Sequence, residues 1–411
     1  MLSPFVPYPP DTGAHIRIHR LLRGLAERHD VDVLTLRDRG AESAAAADAL
    51  RREGFVVHDV VHEPTRARTA AGALLRRRSL YGARFHSREL AQRLAALLSG
   101  DRYDAVQCEF AYMGAYAPVI RGASDAWLVL DEHNVEFELS STLLALPRRG
   151  FRAQVYDVYG RRELRRRREE ELSACRAVDR VLVASHHDRR MLERELPAPP
   201  VAVVPNGVDV DEVLFEPPAA DAPARAVFVG TLDYRPNEDA VRWFCSSVLP
   251  LVRRHVPDFE LEVVGARPST SVQALARQDG VQIVGGVPDV RPHLRRAALT
   301  VVPLRAGSGT RLKILEAFAA GTPVVSTSLG CRGLDVVDGF HALVADDARD
   351  LAAAIVRLVR EPATRKRLAA EARALVESRF SWSSAVAKLH DVYDSLPARS
   401  SPRRAGTGGR A

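Results

Sequence analysis

The chain has 411 residues, 46% of them hydrophobic, which is enough to bury two cores of ordinary domain size. Its net charge of +7 does not indicate nucleic acid, because four arginines of the acid-free tail 397–411 supply four of those charges and leave +3. Four widely spaced cysteines and the lack of an apolar run of roughly 18 residues argue against a disulfide framework, a structural zinc and a membrane span. We therefore expect a cytoplasmic protein.

The segment before the first turn is shorter than the strand that we expect there. A first parallel strand should precede the turn that ends at Gly13, yet only Met1-Leu2-Ser3 stands before Pro4, whereas buried strands run roughly 4 to 8 residues. We expect the native start codon to lie several residues upstream. After Gly13 the spacing predicts a helix with one apolar stripe, formed by Ile18, Leu21, Leu22 and Leu25.

Short apolar runs bounded by turn residues alternate with helical stretches from end to end. Because these runs are apolar throughout, they predict strands covered on both faces, hence parallel sheets with helices on each side. One set begins at Val31, Phe55, Asp104, Ala126, Arg180 and Val201, and a second set at Arg225, Glu260, Val281, Leu299, Pro323 and His341. The prediction is an α/β protein with two doubly wound, Rossmann-like domains.

The boundary between the domains is predicted between Val204 and Ala224, where Pro205-Asn206-Gly207 ends a strand and a proline-rich stretch follows. Residues 351–377 are predicted as one helix. We assign the segments as follows: a first domain 1–204, a second domain 205–378, a helix in 379–396 that returns towards the first domain, and a disordered basic tail 397–411.

The stretch 301–323 carries the clearest functional pattern. A buried-type strand leads into the turn Gly307-Ser308-Gly309 and then into a helix. Glycines let the backbone approach a ligand, and the first amides of a helix attract an anion such as a diphosphate. Arg311 and Lys313, predicted in the first helical turn, add positive charge, and Glu316, predicted in the third, can accept hydrogen bonds from sugar hydroxyls. A plain strand-turn-helix crossover with solvated charges is the alternative.

Five stretches resemble, in order and spacing, the motifs of the family 4 glycosyltransferases of the GT-B fold. They are PYPPDTGAHIRIHRLLRGLAERHDV, DEHNVEFE, VPNGVDVDE, FVGTLDYRPNEDAVRWF and GSGTRLKILEAFAAGTPVVS. The resemblance implies two domains facing a central cleft, with the acceptor mainly against the first and the nucleotide-sugar against the second. It also implies transfer of a sugar from a nucleotide-diphosphate sugar to a hydroxyl acceptor, with retention of configuration.

The resemblance also implies roles for individual residues. Gly13 lets the donor phosphates approach the first turn, His133 and Asn134 contact the transferred sugar, and Glu316 binds the nucleotide ribose. Asn206 belongs to the interdomain turn and shapes the hinge. The catalytic candidates are His133, Asn134, Arg311 and Lys313, and the donor-binding candidates are Gly13, Arg235, Gly307, Ser308, Gly309, Thr310 and Glu316. A plain tight turn at Gly13 and a structural His133 are the alternatives.

Two departures from the family pattern matter. Ser308 stands where many members carry a second glutamate beside the transferred sugar. Thr231 and, approximately, Asn237 stand where members often carry an arginine and a lysine. We expect Arg311 and Lys313, together with Arg235, to neutralise the diphosphate instead.

No metal and no other cofactor is expected. Asp209 and Asp211 follow an interdomain turn rather than a strand end, so they do not form a DxD metal motif. Preorganised amides and cations can stabilise a leaving diphosphate without a metal. In the family mechanism the acceptor attacks from the face that the diphosphate leaves, and the leaving phosphate helps to deprotonate it.

A block of arginines, Arg161, Arg162 and Arg165 to Arg168, precedes Glu169, Glu170 and Glu171. One interpretation is a solvated helix with internal ion pairs. The other is a surface that meets anionic lipid or a lipid-diphosphate acceptor. Nucleic acid is disfavoured because the block lacks stacking aromatic residues.

Two other functions remain open on the same fold. A nucleotide-sugar 2-epimerase would need converging acid and base groups, which the sequence does not place. A catalytically inactive scaffold protein is the second alternative, because Ser308 replaces the glutamate of many family members. The donor base and sugar are open, and so is the acceptor, whether saccharide, lipid-linked saccharide or small molecule.

Overall fold

The computed structural model describes residues 1–75, 78–100, 103–147 and 151–397. The strands are β1 Leu2–Ser3, β2 Asp32–Arg37, β3 Val56–Val61, β4 Ala105–Glu109, β5 Trp127–Glu132, β6 Arg180–Val183, β7 Val201–Val203, β8 Arg225–Val229, β9 Glu260–Val264, β10 Val281–Gly285, β11 Leu299–Val302, β12 Val324–Ser326 and β13 Leu343–Val344. The predicted tail beyond Pro397 lies outside the described residues.

The helices of the first half are α1 Gly13–Ala26, α2 Ala41–Arg52, α3 Arg66–Leu75, α4 Leu80–Arg84, α5 Arg88–Gly100, α6 Ala111–Gly114, α7 Ala117–Ala123, α8 Glu136–Ala145, α9 Phe151–Arg176 and α10 His186–Glu195. Those of the second half are α11 Arg235–Trp243, α12 Leu249–Arg253, α13 Thr270–Gln273, α14 Arg291–Arg296, α15 Leu312–Ala320, α16 Ser328–Cys331, α17 Ala348–Arg360, α18 Pro362–Arg379 and α19 Trp382–Asp394. A π-helical turn at Phe244–Val248 and a 3₁₀ turn at Ala274–Arg277 complete the set.

The strands form two sheets with the same winding. The first sheet has the order β3-β2-β1-β4-β5-β6-β7 and the second the order β10-β9-β8-β11-β12-β13. Their strand pairs are parallel, as in β4–β5 and β8–β9. In both sheets the order reverses beside the first strand, which is where doubly wound sheets bind ligands at the carboxyl ends of their strands. The prediction of two doubly wound domains is confirmed.

Burial explains why the apolar runs became central strands. Leu128, Val129 and Leu130 of β5 are each 0% exposed, so successive side chains on both faces are covered. Each predicted run contains a strand of the structure. The strand β1 has two residues and lies between β2 and β4. The expectation about the start codon stays a prediction.

Helix α1 confirms the predicted apolar stripe. Ile18, Leu21 and Leu22 are fully buried, and the N-cap residue Thr12 accepts a hydrogen bond from the backbone N–H of His15. Arg17 on the same helix is only 1% exposed, which the pattern did not predict.

The prediction of one helix over 351–377 is wrong. The structure has two helices there: α17 ends at Arg360 and α18 begins at Pro362. A proline has no backbone N–H to continue the helix, but it fits the first helical position well.

The last helix, α19, packs against the first domain. Trp382, Ala385 and Leu389 share a buried cluster with Leu21 and Leu25 of α1. The chain crosses between the sheets twice, and the crossings touch where the N–H of Val208 donates to the carbonyl of Phe380 at 2.8 Å. In the part of the chain that the structure describes, no helix has both the length and the apolar character needed to span a membrane.

Candidate functional site

A buried polar cluster lies at the carboxyl ends of β4 and β5. His133 follows β5, is 6% exposed, and lies with Nε2 2.8 Å from Oε2 of Glu109 at the end of β4. The Asp131 carboxylate lies 3.8 Å from the same nitrogen. Neighbouring parallel strands bring these groups together, because both strands end at the same edge of the sheet.

Arg17 connects this cluster to the crossing between the sheets. Its Nε and Nη2 donate to the two oxygens of Asp131 at 3.0 and 2.7 Å. Its Nη1 donates to the carbonyl of Val204 at 2.9 Å and to Oδ1 of Asn206 at 3.0 Å. Asn206 in turn donates through Nδ2 to Oγ1 of Thr310 at 2.7 Å. One chain of hydrogen bonds therefore runs from the first domain to the glycine loop of the second.

The side chains of this cluster that could bind a metal already have hydrogen-bond partners in the protein. Glu109, Asp131 and His133 offer ligand atoms within 4.8 Å of one another. However, Arg17 holds both oxygens of Asp131, and Glu109 accepts from Nε2 of Gln107 at 2.7 Å as well as contacting His133. A guanidinium already supplies positive charge and would repel a second cation. The donor set therefore fits a network that orients His133 better than a metal site.

The glycine loop differs from the sequence prediction at the start of its helix. Helix α15 begins at Leu312, so Arg311 is its N-cap residue, with an extended backbone at φ −102° and ψ 95°, rather than a member of the first turn. Glu316 consequently lies in the second turn, not the third, one turn beyond Lys313.

Arg311 folds back onto the loop. Its Nη1 donates to the carbonyl of Ser308 and, at 2.6 Å, to that of Gly309. Its Nε and Nη2 and the Oγ of Ser308 are buried and, among the described residues, have no hydrogen-bond partner. Burial lowers the pKa of Arg311. Unsatisfied buried donors are costly, so this loop is built to receive an acceptor-rich group.

Lys313 reaches from α15 to the first turn of α11. Its Nζ donates to Oδ1 of Asn237 at 2.9 Å and lies 4.3 Å from the centre of the Phe228 ring. Burial, together with the nearby charge of Arg311, lowers the pKa of Lys313 to about 7. Family members often carry a lysine at about the position of Asn237. In this chain the ammonium of Lys313 lies beside Asn237 instead.

Glu316 lies next to this ammonium. Burial raises the pKa of Glu316, whereas the charge of Lys313 opposes that increase. Asp289 and Arg291, which are ion-paired at 2.8 Å, also lie close enough to influence its charge. A half-buried carboxylate beside a cation can accept hydrogen bonds from a pair of vicinal hydroxyls.

The two predicted residue groups meet across the cleft. A Cβ added at Gly309 would lie 2.8 Å from Cβ of Asn134 and 3.1 Å from the carbonyl oxygen of His133. The N–H of Gly307 donates to Oγ1 of Thr142 at 2.9 Å. Asn134 itself donates through Nδ2 to Oε1 of Glu136 at 2.8 Å. The loop of the second domain therefore lies directly against the end of β5.

Gly309→Ala is expected to impair activity, because the methyl group would force these surfaces apart and the residue has φ +71°. Gly339→Ala is the matched control: it has the same φ of +71° but nothing within 4 Å of its added Cβ. We expect a loss of turnover of about tenfold or more in the first variant, at a backbone strain common to both. Equal turnover in the two variants would contradict the close approach.

The remaining predicted residues lie around this contact. Gly13 begins α1, and a Cβ there would lie 3.6 Å from Cδ1 of Leu312, so the first turn faces the start of α15. Arg235 is exposed in the first turn of α11, and it is Asn237 of that turn that bonds to Lys313.

Sequence reasoning missed several residues of the site. Arg17, Glu109, Glu136 and Thr142 each contact a predicted residue or its direct partner. Arg17 left a signal, since a charged residue sits between the apolar Ile16 and Ile18. Glu109 ends a strand run, which is the usual place for a functional polar group in this fold.

Family models match both halves of the chain. A model described as "Glycosyltransferase Family 4" matches residues 12–212. A second, described as "Glycosyl transferases group 1", matches residues 223–361. The gap between them falls at the crossing between the two sheets.

Curated relatives share part of their length with this chain. A D-inositol 3-phosphate glycosyltransferase of Xylanimonas cellulosilytica is 34% identical over 215 residues, which cover 47% of this chain and 51% of that protein. A phosphatidyl-myo-inositol mannosyltransferase of Mycobacterium leprae is 29% identical over 202 residues, covering 47% and 53%. The chain thus spans about half the length of these relatives.

Solved structures show the same fold over almost the whole chain. Sucrose-phosphate synthase from Thermosynechococcus elongatus matches with a TM-score of 0.67 at 20% identity, covering 96% of this chain and 97% of that one. Anabaena HepE, solved in complex with UDP and glucose, matches with a TM-score of 0.67 at 13% identity, covering 96% and 99%. These matches and the two doubly wound sheets show the GT-B fold. The two family models, which between them match residues 12–212 and 223–361, show that the chain belongs to the GT4-like glycosyltransferases.

Proposed function

We propose that the protein transfers a sugar from a nucleotide-diphosphate sugar to a hydroxyl acceptor, with retention of configuration and without a metal. One observation carries this proposal: the glycine loop holds three buried polar atoms without a hydrogen-bond partner among the described residues, Oγ of Ser308 and Nε and Nη2 of Arg311. Lys313 lies close enough for its charge to interact with that of Arg311. The oxygens of a diphosphate would satisfy these donors, and structural neighbours such as HepE were solved with UDP.

The proposed chemistry divides between the two domains. As the bond between the sugar and the diphosphate breaks, Arg311, Lys313 and the first amides of α15 stabilise the negative charge that develops. Asn134 and His133 face the same space from the first domain and orient the sugar. The leaving phosphate oxygen takes the proton of the acceptor hydroxyl as the new glycosidic bond forms on the same face. Charge neutralisation by fixed cations is what makes a metal unnecessary.

We propose a separate binding place for the acceptor on the first domain. A cavity of about 600 Å³ opens between the end of β3, α3 and the start of α5. Arg39, Arg78, Arg88, His62 and His86 line it, against two carboxylates, Glu63 and Glu89. We assign the acceptor to this cavity and expect it to carry a phosphate or another anionic group. The inositol-phosphate glycosyltransferases among the relatives are named for such an acceptor.

The test is a screen of the intact protein. Thermal unfolding with UDP, GDP and ADP identifies the nucleotide by the largest rise in Tm. The matching nucleotide-sugars are then incubated with phosphorylated and unphosphorylated sugar acceptors, with and without EDTA, and the product anomer is determined by NMR. We expect a retained anomer, preference for the anionic acceptor and no effect of EDTA. No response to any nucleotide would favour the scaffold, and an epimer formed from donor alone would favour the epimerase.

The arginine block of α9 supports a second contact. Glu170 bonds to the N–H of Ser79 at 2.7 Å and Glu171 caps α8, whereas Arg167 pairs with Glu163 at 3.6 Å within the helix. Arg161, Arg162 and Arg165 are exposed on the same helix as Val158, which is 75% exposed, and Tyr159, which is 50% exposed. We propose that this face meets the surface of an anionic membrane.

Replacing Arg161, Arg162 and Arg165 with serine should weaken binding to vesicles that contain phosphatidylserine roughly a hundredfold at low salt, at about 1 kcal/mol per arginine. Flotation of the intact protein measures this. A control variant replaces three exposed arginines of α17 and α18 with serine, at Arg349, Arg360 and Arg367, and should float like the wild type. Failure of the wild type to bind vesicles would end the proposal.

A further inference from the structure

Phe110 has a backbone conformation that is unusual for its residue type. It follows the last residue of β4 and has φ +68° and ψ +151°. This region is occupied almost entirely by glycine, because a side chain there meets the neighbouring backbone. Strain of this kind persists only where the surrounding structure holds the residue firmly, and it is concentrated at functional sites.

The strain places the phenyl ring on the imidazole of His133. The two ring centres are 3.9 Å apart and the planes differ by 28°. The Phe110 ring also stacks on Tyr112, with ring centres 5.0 Å apart and planes 12° apart. Phe110 is 6% exposed, so this contact is made in the interior rather than on a mobile surface.

The backbone explains how two successive residues reach the same imidazole. In a regular strand, the side chains of Glu109 and Phe110 would point to opposite faces of the sheet. The left-handed φ of Phe110 turns the chain, so that Glu109 bonds to the edge of the His133 ring while Phe110 covers its face. The N–H of Phe110 donates to the carbonyl of Asp131 at 2.9 Å and fixes this turn to the end of β5.

We infer that Phe110 is a positioning residue for the glycosyl transfer: its strained backbone holds the phenyl ring against His133 and so fixes the imidazole plane. With Nε2 turned to Glu109, the geometry leaves Nδ1 as the ring nitrogen without a protein partner among the described residues. A fixed plane aims that nitrogen in one direction. The inference rests on the proposed function, because it assigns His133 a part in the reaction.

The first test is kinetic. In Phe110→Leu, which keeps an apolar side chain but has no flat face, we expect kcat to fall on the order of ten- to a hundredfold while the KM for the donor changes little. Phe85→Leu is the matched control: Phe85 stacks on Tyr112 at 4.2 Å in the same aromatic cluster, and its change should leave kcat near that of the wild type. If His133→Gln lowers kcat but Phe110→Leu does not, the inference is overturned.

The second test needs no substrate. NMR of the ligand-free protein should show the ring protons of His133, assigned with His133→Gln, shifted upfield by the Phe110 ring, and the shift should vanish in Phe110→Leu but not in Phe85→Leu. Phe110→Gly should withstand more urea than Phe110→Ala, since glycine accepts the strained φ, yet be equally impaired in kcat. An unchanged His133 signal in Phe110→Leu would overturn the inference. A wild type that is inactive with every donor would contradict the proposed function. In that case the NMR shift and the urea stability would still decide whether Phe110 holds the His133 ring.

Discussion

Replacing Lys313 with methionine is expected to lower kcat by about a hundredfold or more, the loss typical of removing one group that stabilises transition-state charge. The ammonium of Lys313 lies beside Asn237 and Arg311, next to the loop that we assign to the diphosphate. Lys313 is half-buried, so its charge acts with less screening by water than that of an exposed lysine. Steady-state kinetics with the donor identified by the screen measure the effect.

The same lysine should make donor binding depend on pH. Its pKa in the free protein is lowered to about 7, and a bound diphosphate would stabilise the charged form and raise it. Affinity for the nucleoside diphosphate should therefore be highest below about pH 7 and decrease as the pH rises above that value, with uptake of a proton on binding. Calorimetry at pH 8 in two buffers of different ionisation enthalpy detects that proton.

Lys366→Met is the control for both measurements, since Lys366 is an exposed lysine on α18 in the second domain. It should leave kcat and the pH dependence unchanged. The double change of Arg311→Gln and Lys313→Met should slow transfer far more than it lowers the free energy of unfolding. Turnover of the double variant equal to that of the wild type would remove both residues from the mechanism.

Replacing Arg17 with methionine should give the largest loss of stability, about 3 to 5 kcal/mol in the free energy of unfolding. Arg17 and Asp131 are 1% and 0% exposed, and Arg17 bonds both carboxylate oxygens. Its removal takes away the guanidinium that holds both oxygens of the buried Asp131 carboxylate, and it breaks the hydrogen bond to Asn206 at the crossing between the domains. Urea denaturation followed by circular dichroism measures the change.

Two comparisons separate this loss from a general effect of removing an arginine. Arg28→Met breaks only an exposed pair with Asp394 at 3.7 Å and should cost about 1 kcal/mol or less. Adding Asp131→Leu to Arg17→Met should recover part of the stability, because no buried charge is then unpaired. If Arg17→Met were as stable as Arg28→Met, the buried pair of Arg17 and Asp131 would not be a major contributor to stability.

Much of the fold could be predicted because its strands are buried on both faces. A short, continuous apolar run with turn residues at both ends, such as that of β5, is compatible with few structures other than a buried strand. The break between α17 and α18 was missed because a proline at the first position of a helix does not disturb the apolar pattern on either side. The core residues lie in these local apolar patterns, so the patterns were enough to predict them.

Candidate residues of the site could be predicted where they belong to a short sequence motif. The glycine loop and Lys313 lie within a few residues of one another, so local pattern identified them. Pairs such as Arg17 with Asp131 or Thr142 with Gly307 depend on strand order and on how the two domains face each other, which no local spacing encodes. The strained backbone of Phe110 left no trace either, since phenylalanine is not a residue that indicates a positive φ.

A crystal structure of the protein with the nucleoside diphosphate that raises its Tm most is the most direct test of this account. We predict that the diphosphate oxygens lie within hydrogen-bonding distance of Arg311, Lys313 and the first amides of α15, and that the ribose hydroxyls bond to Glu316. The phosphates would then face Asn134 across the cleft. A nucleotide bound on an outer surface, with the buried donors of Ser308 and Arg311 still unsatisfied, would contradict the proposal.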